Sequence, residues 1–462
     1  MIFKDKKVLI VGLGRSGKAA IRALHKKGAR LSVYDEKQEA ELKESLDELK
    51  EMDLKVSIGV LPVVDKGIFD LVVVSPGFPL DRSPIPEAIQ SGVKVIGELE
   101  LAYLLKSKEL DFYAVTGTNG KTTTTSLLHH ILSTGGIQSA AGGNIGIALC
   151  NLVDSMQKGV VSVEASSFQL DTTDTFCPHI CGILNITEDH LDRHKTMEAY
   201  IDAKASVFKN QQTDDYAVLN YEDNTVRILA KSVPSTVLYF STDQILTEGV
   251  CVQDDVICVN WQRESYQICN ATGINLRGRH NLENILCAVG MSWVAGVDNR
   301  SIAEALKTFT GVRHRLEEVD EYNGVLYIND SKGTNPDSTI MALKAFDCPV
   351  VLIAGGRAKG GSYDGVAEMI NRRVKELIVL GEAKELIKSA VLECGFTNIH
   401  MVETFEEAVY KAHQMADTGD VVLLSPACAS WDMFPSYEHR GDLFCELVHS
   451  IIRSEKQVNG EA

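Results

Sequence analysis

Short apolar runs recur along the chain, each closed by a turn and followed by residues whose apolar positions lie three and four apart. That pairing predicts strands alternating with amphipathic helices. In the first segment the strands are Val8–Val11, Leu31–Tyr34, Lys55–Ile58, Leu71–Val74 and Lys94–Ile96. The helix between the first two, Ser16–Lys27, carries Ala20, Ile21 and Leu24 on one face and its lysines elsewhere. The middle segment offers strands Phe112–Val115, Val160–Val163 and Cys181–Leu184 and a helix Lys121–Ser133. It becomes β-rich from Tyr216 to Gln267, then gives a strong helix from Asn281 to Ala295. The last segment runs Val325–Ile328, Val350–Ile353, Glu376–Leu380, Ile399–Val402 and Val421–Leu424, with helical patterns between them. Three stretches begin alike, with apolar strand, glycine turn and helix: Lys7–Gly17, Ala114–Thr124 and Pro349–Gly356. Alternation of this kind marks parallel-sheet α/β units. Boundaries near Gly97 and Gly311 divide the chain into 1–96, 97–311 and 312–462.

The length of 462 residues agrees with about three domains. A net charge of −17 excludes a chain-wide basic surface for nucleic acid or anionic lipid. An acidic protein that binds an anion must concentrate positive charge locally, so lysines and arginines beside glycine turns gain interest. No apolar run approaches the about 18 residues of a membrane span, and Met1–Lys7 shows no signal-peptide pattern. Eleven cysteines are scattered. Cys177 and Cys181 form the closest pair suggesting a metal, with no second pair at zinc spacing, so reduced cysteines in a cytoplasmic protein are expected.

The densest chemistry lies in Ala114-Val-Thr-Gly-Thr-Asn-Gly-Lys-Thr-Thr-Thr124. Gly117 and Gly120 let the backbone turn and aim N–H groups at one point, Lys121 adds a positive charge, and the Thr122 hydroxyl can reach a phosphate-bound Mg2+. These are the parts of a triphosphate cradle, although Val115 stands where the usual pattern has a further glycine. Gly12, Gly14 and Gly17 form a second glycine turn, with Asp35 ending the next strand. It suits a dinucleotide, a sugar nucleotide or an unliganded tight turn alike. Glu164 ends a buried strand and suits Mg2+ beside a phosphate, or a solvated strand end. Asn185–His194 gathers Asp189, His190, Arg193 and His194 at another strand end, with His190 the better metal or phosphate ligand by its nearness to the strand. Asn281 is expected to cap its helix and, as an amide, to be able to read an adenine edge. Asp330 and Lys332 stand at a strand end, and Ser425–Asp432 followed by Tyr437 ends the last strand with small residues and aromatics.

Taken in order, TGTNGKTT, EASSFQL, TEDHLDRH, GRHNLEN, GVRHRLE, NDSKGTN and SPACASWDMF resemble the Mur ligases, the ATP-dependent amino-acid ligases of peptidoglycan precursor synthesis. The similarity spans Val8 to about Phe444 and is strongest to the member that adds D-glutamate to UDP-N-acetylmuramoyl-L-alanine. It implies three α/β domains: an N-terminal Rossmann-like domain for the UDP-sugar, a central P-loop-type mononucleotide-binding sheet with added β-strands, and a C-terminal Rossmann-like domain for the amino acid. It also implies a cytoplasmic monomer serving cell-wall biogenesis, cell shape and division, with ATP and Mg2+ as cofactors. Gly14, Arg15, Ser16, Asp35, Ser75, Gly77, Asn144 and Ser166 are then expected at the UDP-sugar. Gly117, Thr118, Asn119, Gly120, Lys121, Thr122, Thr123, Asn281, Arg315 and Asp330 are expected at ATP, and Lys332 at the transferred phosphoryl group. Thr122, Glu164, His190 and a carbamylated Lys204 are the implied metal ligands, and Lys359, Ser430, Trp431 and Tyr437 the implied D-glutamate contacts.

The resemblance implies phosphorylation of the substrate carboxylate, followed by attack of the amine. Lys121, Glu164, His190, Lys204 and Lys332 carry that chemistry in this reading. Lys204 sets a physical condition, since an ordinary lysine is neutral only about once in 2,500 at pH 7 and only the neutral amine adds CO2. Trp431 and Tyr437 depart from the leucine and phenylalanine familiar in the family. A folylpolyglutamate-type ligase would begin near the ATP loop. A diaminopimelate- or lysine-adding member would show an Asn-Pro-Arg motif that is absent here, and a nicotinamide dehydrogenase would need no Gly-Lys-Thr.

Overall fold

Five strands form the first sheet: β1 (Lys7–Val11), β2 (Arg30–Asp35), β3 (Leu54–Ile58), β4 (Leu71–Val74) and β5 (Lys94–Gly97). All pair in parallel in the order β3-β2-β1-β4-β5. The order reverses beside β1, and the glycine turn that follows β1 lies at this switch point, where open α/β sheets bind ligands. Gly12 has φ +93°, and a Cβ on Gly17 would lie 1.9 Å from the Gly12 carbonyl oxygen, so the turn admits no side chain at either place. The computed structural model describes residues 3–274, 276, 278–358 and 362–459. They group into two units, Met1–Ile274 with Glu283–Phe309 and Asn275–Leu282 with Thr310–Ala462.

The first unit holds a second sheet of nine strands. These are β6 (Glu109–Thr116), β7 (Ser139–Gly143), β8 (Lys158–Glu164), β9 (Ile180–Ile183), β10 (Tyr216–Asn220), β11 (Thr236–Ser241), β12 (Gly249–Gln253), β13 (Val256–Trp261) and β14 (Glu264–Asn270). Their order is β14-β13-β12-β11-β10-β9-β6-β8-β7, parallel from β7 to β12 and antiparallel through β13 and β14. β6 lies between β8 and β9, so their carboxyl ends adjoin, with Val115 opposite Glu164 and Thr116 opposite Ile183. One apolar core runs through Ile10, Ala20, Leu101, Phe112, Val163 and Ile183. The helix Glu98–Leu105 ties the two sheets: its buried Glu100 carboxylate accepts N–H bonds from Asp174, Thr175 and Phe176 at 2.9–3.1 Å. At the antiparallel end Trp261 meets Trp293 edge-on, ring centroids 6.3 Å apart.

The second unit is built on β15 (Glu317–Tyr322), β16 (Val325–Asn329), β17 (Val350–Gly355), β18 (Val374–Leu380), β19 (Ile399–Met401) and β20 (Val421–Leu424). The order is β15-β16-β20-β17-β18-β19, antiparallel only between β15 and β16. Strands β16, β17 and β20 are thus neighbours, and the loops leaving them share one sheet edge. All eleven cysteines are unpaired by disulfides. Among the described residues no helix is long and apolar enough to cross a membrane.

Candidate active site

The loop from β6 to the helix Lys121–Thr134 is held by its backbone and by one neighbouring asparagine. The Thr118 N–H donates to the Asn185 carbonyl at 2.8 Å, and the Asn119 N–H donates to Asn185 Oδ1 at 2.8 Å. The Thr118 hydroxyl reaches the Thr187 carbonyl and the Tyr200 phenol at 3.1 and 3.2 Å. Gly117 and Gly120 have φ of +147° and +86°, and a Cβ on Gly120 would lie 2.1 Å from Asn284 Oδ1. Lys121 folds back over the loop, its Nζ donating to the carbonyls of Gly117 and Thr118 at 2.9 and 2.7 Å.

Glu164 ends β8 one strand away and is 2% exposed. Its Oε1 accepts from Asn144 Nδ2 at 2.8 Å, while its Oε2 is buried with no hydrogen-bond partner among the described residues. Buried carboxylate oxygens are rarely left so, and an oxygen of this kind beside a phosphate loop fits a hard cation such as Mg2+. Among the described residues no group of three or more His, Cys, Asp or Glu could hold a metal by itself. Phosphate oxygens and the Thr122 hydroxyl suit the remaining positions.

Lys204, on the helix Met197–Ala205, is 1% exposed and donates its Nζ to the same Gly117 carbonyl at 2.7 Å. Burial holds its amine well below the ordinary lysine range. Lys121 pushes the same way, and Asp189 and Glu164 pull weakly back. His190 is exposed and left-handed (φ +56°), its ring edge-on to Phe168 at 4.8 Å. His194 is the buried histidine of that cluster: its Nε2 bonds the Ser167 hydroxyl at 2.9 Å, and its Nδ1 lies 3.6 Å from Asp171. Burial raises the Asp171 carboxyl to about 6, opposed by Arg193.

At the first sheet, Arg15 donates Nη1 to the Gly146 carbonyl at 2.6 Å and Nη2 to the Gly143 and Asn144 carbonyls at 3.4 and 3.5 Å. It therefore joins the Gly14–Ser16 turn to the loop that carries Asn144. A Cβ on Gly14 would meet nothing within 4 Å, so that side of the turn is open. Both Asp35 oxygens accept backbone N–H bonds, from Leu13 at 2.7 Å and Lys37 at 3.0 Å. Ser75 donates to the Gly12 carbonyl at 3.1 Å, with Gly77 two residues on, and Ser166 caps the helix Ser167–Leu170.

In the second unit, Asp330 follows β16 and is 5% exposed. Ser425 donates to its Oδ2 at 2.7 Å, and burial raises its carboxyl to about 6, with Arg315 opposing. Arg315 Nε is buried with no partner among the described residues. Lys332 Nζ lies 5.4 Å from the centre of the Tyr437 ring. Ser430 is buried and Trp431 is 63% exposed. Lys359 lies outside the described residues. Asn281 does not cap its helix: the helix begins at Arg279, placing Asn281 within the first turn. The structure adds residues that the motifs did not single out. Tyr200 carries no sequence signal, and Asn185 is marked only by its place after β9. Arg440 is 2% exposed and donates to Ser331 O at 2.8 Å and, at 3.3–3.4 Å, to Cys428 O.

Comparison with known proteins defines the class. Residues 6–97 match the Mur ligase MurD-like N-terminal domain, 115–292 the Mur ligase middle domain and 314–428 the Mur ligase glutamate ligase domain. The chain belongs to the Mur ligase family. A relative from Pelotomaculum thermopropionicum, 46% identical over 97% of this chain and 98% of its own, is named UDP-N-acetylmuramoylalanine--D-glutamate ligase. One from Alkaliphilus metalliredigens bears the same name at 43% identity, over 98% of this chain and all of its own. The fold is shared with UDP-N-acetylmuramate-alanine ligase from Thermotoga maritima (TM-score 0.59, 20% identity, 96% and 99% of the two chains).

Proposed function

We propose that this chain joins D-glutamate to UDP-N-acetylmuramoyl-L-alanine, an ATP-dependent step of peptidoglycan precursor synthesis in the cytoplasm. The observation that carries the reading is the buried Glu164 carboxylate, one oxygen of which has no partner among the described residues, one strand from a glycine loop whose Gly117 carbonyl accepts from both Lys121 and Lys204. The γ-phosphoryl group passes to an oxygen of the L-alanyl carboxylate, and ADP leaves. The neutral D-glutamate amine attacks the acyl carbon, the C–N bond forms, and phosphate departs with its electron pair as the nitrogen gives up a proton. The phosphoryl donor and the carboxylate acceptor are both anions, so the chain's work is positioning and neutralising charge.

In this reading Gly117–Thr123 cradles the triphosphate, and Lys121 leaves its two loop carbonyls for phosphate oxygens. Thr122 and Glu164 would hold one Mg2+, and His190 and carbamylated Lys204 a second; the ions would supply positive charge to the transferring group. The depressed Lys204 amine supports the carbamate, because a neutral amine is the form that adds CO2, losing one proton as the N–C bond forms. Asn281, Arg315, Asp330 and Lys332 are assigned to ATP and the phosphoryl group. Gly14–Ser16, Asp35, Ser75, Gly77, Asn144 and Ser166 are assigned to the UDP-sugar, and Lys359, Ser430, Trp431 and Tyr437 to D-glutamate. Domains at 1–96, 97–311 and 312–462 belong to the same proposal. Phosphate release from ATP, Mg2+, UDP-N-acetylmuramoyl-L-alanine and D-glutamate is the test; release no greater than in a control without D-glutamate would sink the reading.

A further inference from the structure

Arg357 leaves β17 directly after the paired glycines Gly355 and Gly356. Its main chain is laddered in both directions to Ala429, each bond 2.9 Å, so it stands beside the Ser430–Trp431 turn. Its guanidinium meets the carboxylate of Glu382, just beyond β18, through two parallel bonds: Nε to Oε2 at 2.9 Å and Nη2 to Oε1 at 2.8 Å. This is the fork that a guanidinium offers to any carboxylate. Both side chains are half-exposed, at 50% and 55%. Both partners stay open to solvent, so the guanidinium is within reach of a carboxylate arriving from solution that offers the same two-oxygen fork. Asp432 supplies a second negative neighbour to Arg357, and its Oδ2 accepts the Glu382 N–H at 3.1 Å. The turns after β17, β18 and β20 thereby hold one guanidinium between two carboxylates.

We infer that Arg357 receives a carboxylate of the incoming amino acid, and that Glu382 is an internal stand-in which the substrate displaces. The inference rests on the proposed D-glutamate reading and adds to it a receiving cation and a built-in competitor. The electrostatics give the two residues opposite signs: the cation favours a dicarboxylate substrate, and Glu382 opposes it by occupying the fork and by repulsion.

The test is the KM for each substrate in D-glutamate-dependent phosphate release by the full chain. Arg357→Ala should raise the KM for D-glutamate at least about tenfold, as expected for a lost charge-assisted contact, with the other two KM values unchanged. Arg357→Lys, which keeps the charge and loses the fork, should fall between. Glu382→Gln, close to isosteric, should lower the D-glutamate KM about threefold, the size expected of a weakly held competitor. A merely structural ion pair would move both variants in the same direction. An unchanged D-glutamate KM in Arg357→Ala, or a raised one in Glu382→Gln, overturns the inference and leaves the proposed reaction standing. A wild-type chain with no D-glutamate-dependent release overturns both. Circular dichroism of the exposed-site variants confirms that they fold.

Discussion

Replacing Gly120 by alanine separates two costs that the phosphate loop hides. Gly120 sits before the helix Lys121–Thr134 at φ +86° and ψ −16°, the left-handed region. An alanine forced there loses roughly 1–2 kcal/mol. The new Cβ would also lie 2.1 Å from Asn284 Oδ1 and 3.0 Å from Leu184 Cδ1. Asn284 is buried, so it must shift within a packed region, at a cost of about 1–3 kcal/mol. The two together predict a loss of about 2–5 kcal/mol. Gly136 supplies the control, with φ +79° and nothing within 4 Å of its would-be Cβ. Gly136→Ala should therefore lose only the backbone cost, about 1–2 kcal/mol. Urea denaturation of both variants, followed by circular dichroism, measures the difference. Titration with a fluorescent ATP analogue then shows whether the loop amides stay aimed: Gly120→Ala should bind at least about tenfold more weakly, Gly136→Ala normally. Equal stability losses in the two variants, or normal nucleotide binding by Gly120→Ala, would refute the reasoning.

Two further outcomes follow from the lysines. Lys204→Met should abolish activity yet be more stable than the wild type at pH 7 in metal-free, bicarbonate-depleted buffer, because Gly117 O keeps the Lys121 donor at 2.9 Å while a buried ammonium site is removed. The folded-state pKa of Lys204 lies below its unfolded value of about 10.4, so wild-type stability rises with pH through that interval, and the variant's advantage should shrink between pH 7 and 10. A variant less stable at pH 7, in the same denaturation assay, contradicts this. Lys121→Ala should cost about 1.5–3 kcal/mol of phosphate interaction, hence at least about tenfold in activity; near-normal phosphate release would mean that another loop binds ATP.

How much of this was legible depends on where each residue's constraint originates. The inner parallel strands, such as Leu71–Val74 and Val421–Leu424, are buried on both faces and read as unbroken apolar runs. β15, Glu-Glu-Val-Asp-Glu-Tyr, has no such signature, because it is an edge strand of mostly charged residues of which only Tyr322 is fully buried. β7, Ser-Ala-Ala-Gly-Gly, is hidden by its small residues, and the helix Asn224–Leu229 is hidden inside a β-rich stretch. In the site, Gly117, Gly120 and Glu164 were legible because backbone conformation and strand-end placement are local properties. Asn185 and Tyr200 brace the loop across 66 and 82 residues of chain, and no local pattern announces that. Asp35 was marked by its position, but the sequence could not show that both its oxygens brace backbone amides.

The three tryptophans divide into an internal reference and a reporter. Trp261 and Trp293 pack against each other at the antiparallel end of the second sheet, and Trp431 stands 63% exposed beside the proposed amino-acid pocket of the other unit. Iodide in solution should therefore quench Trp431 first and leave the packed pair emitting. Native fluorescence thus carries an unlabelled optical probe of the surroundings of Trp431, and a D-glutamate titration at equilibrium, without ATP, turnover or an attached dye, tests whether the amino acid is bound there.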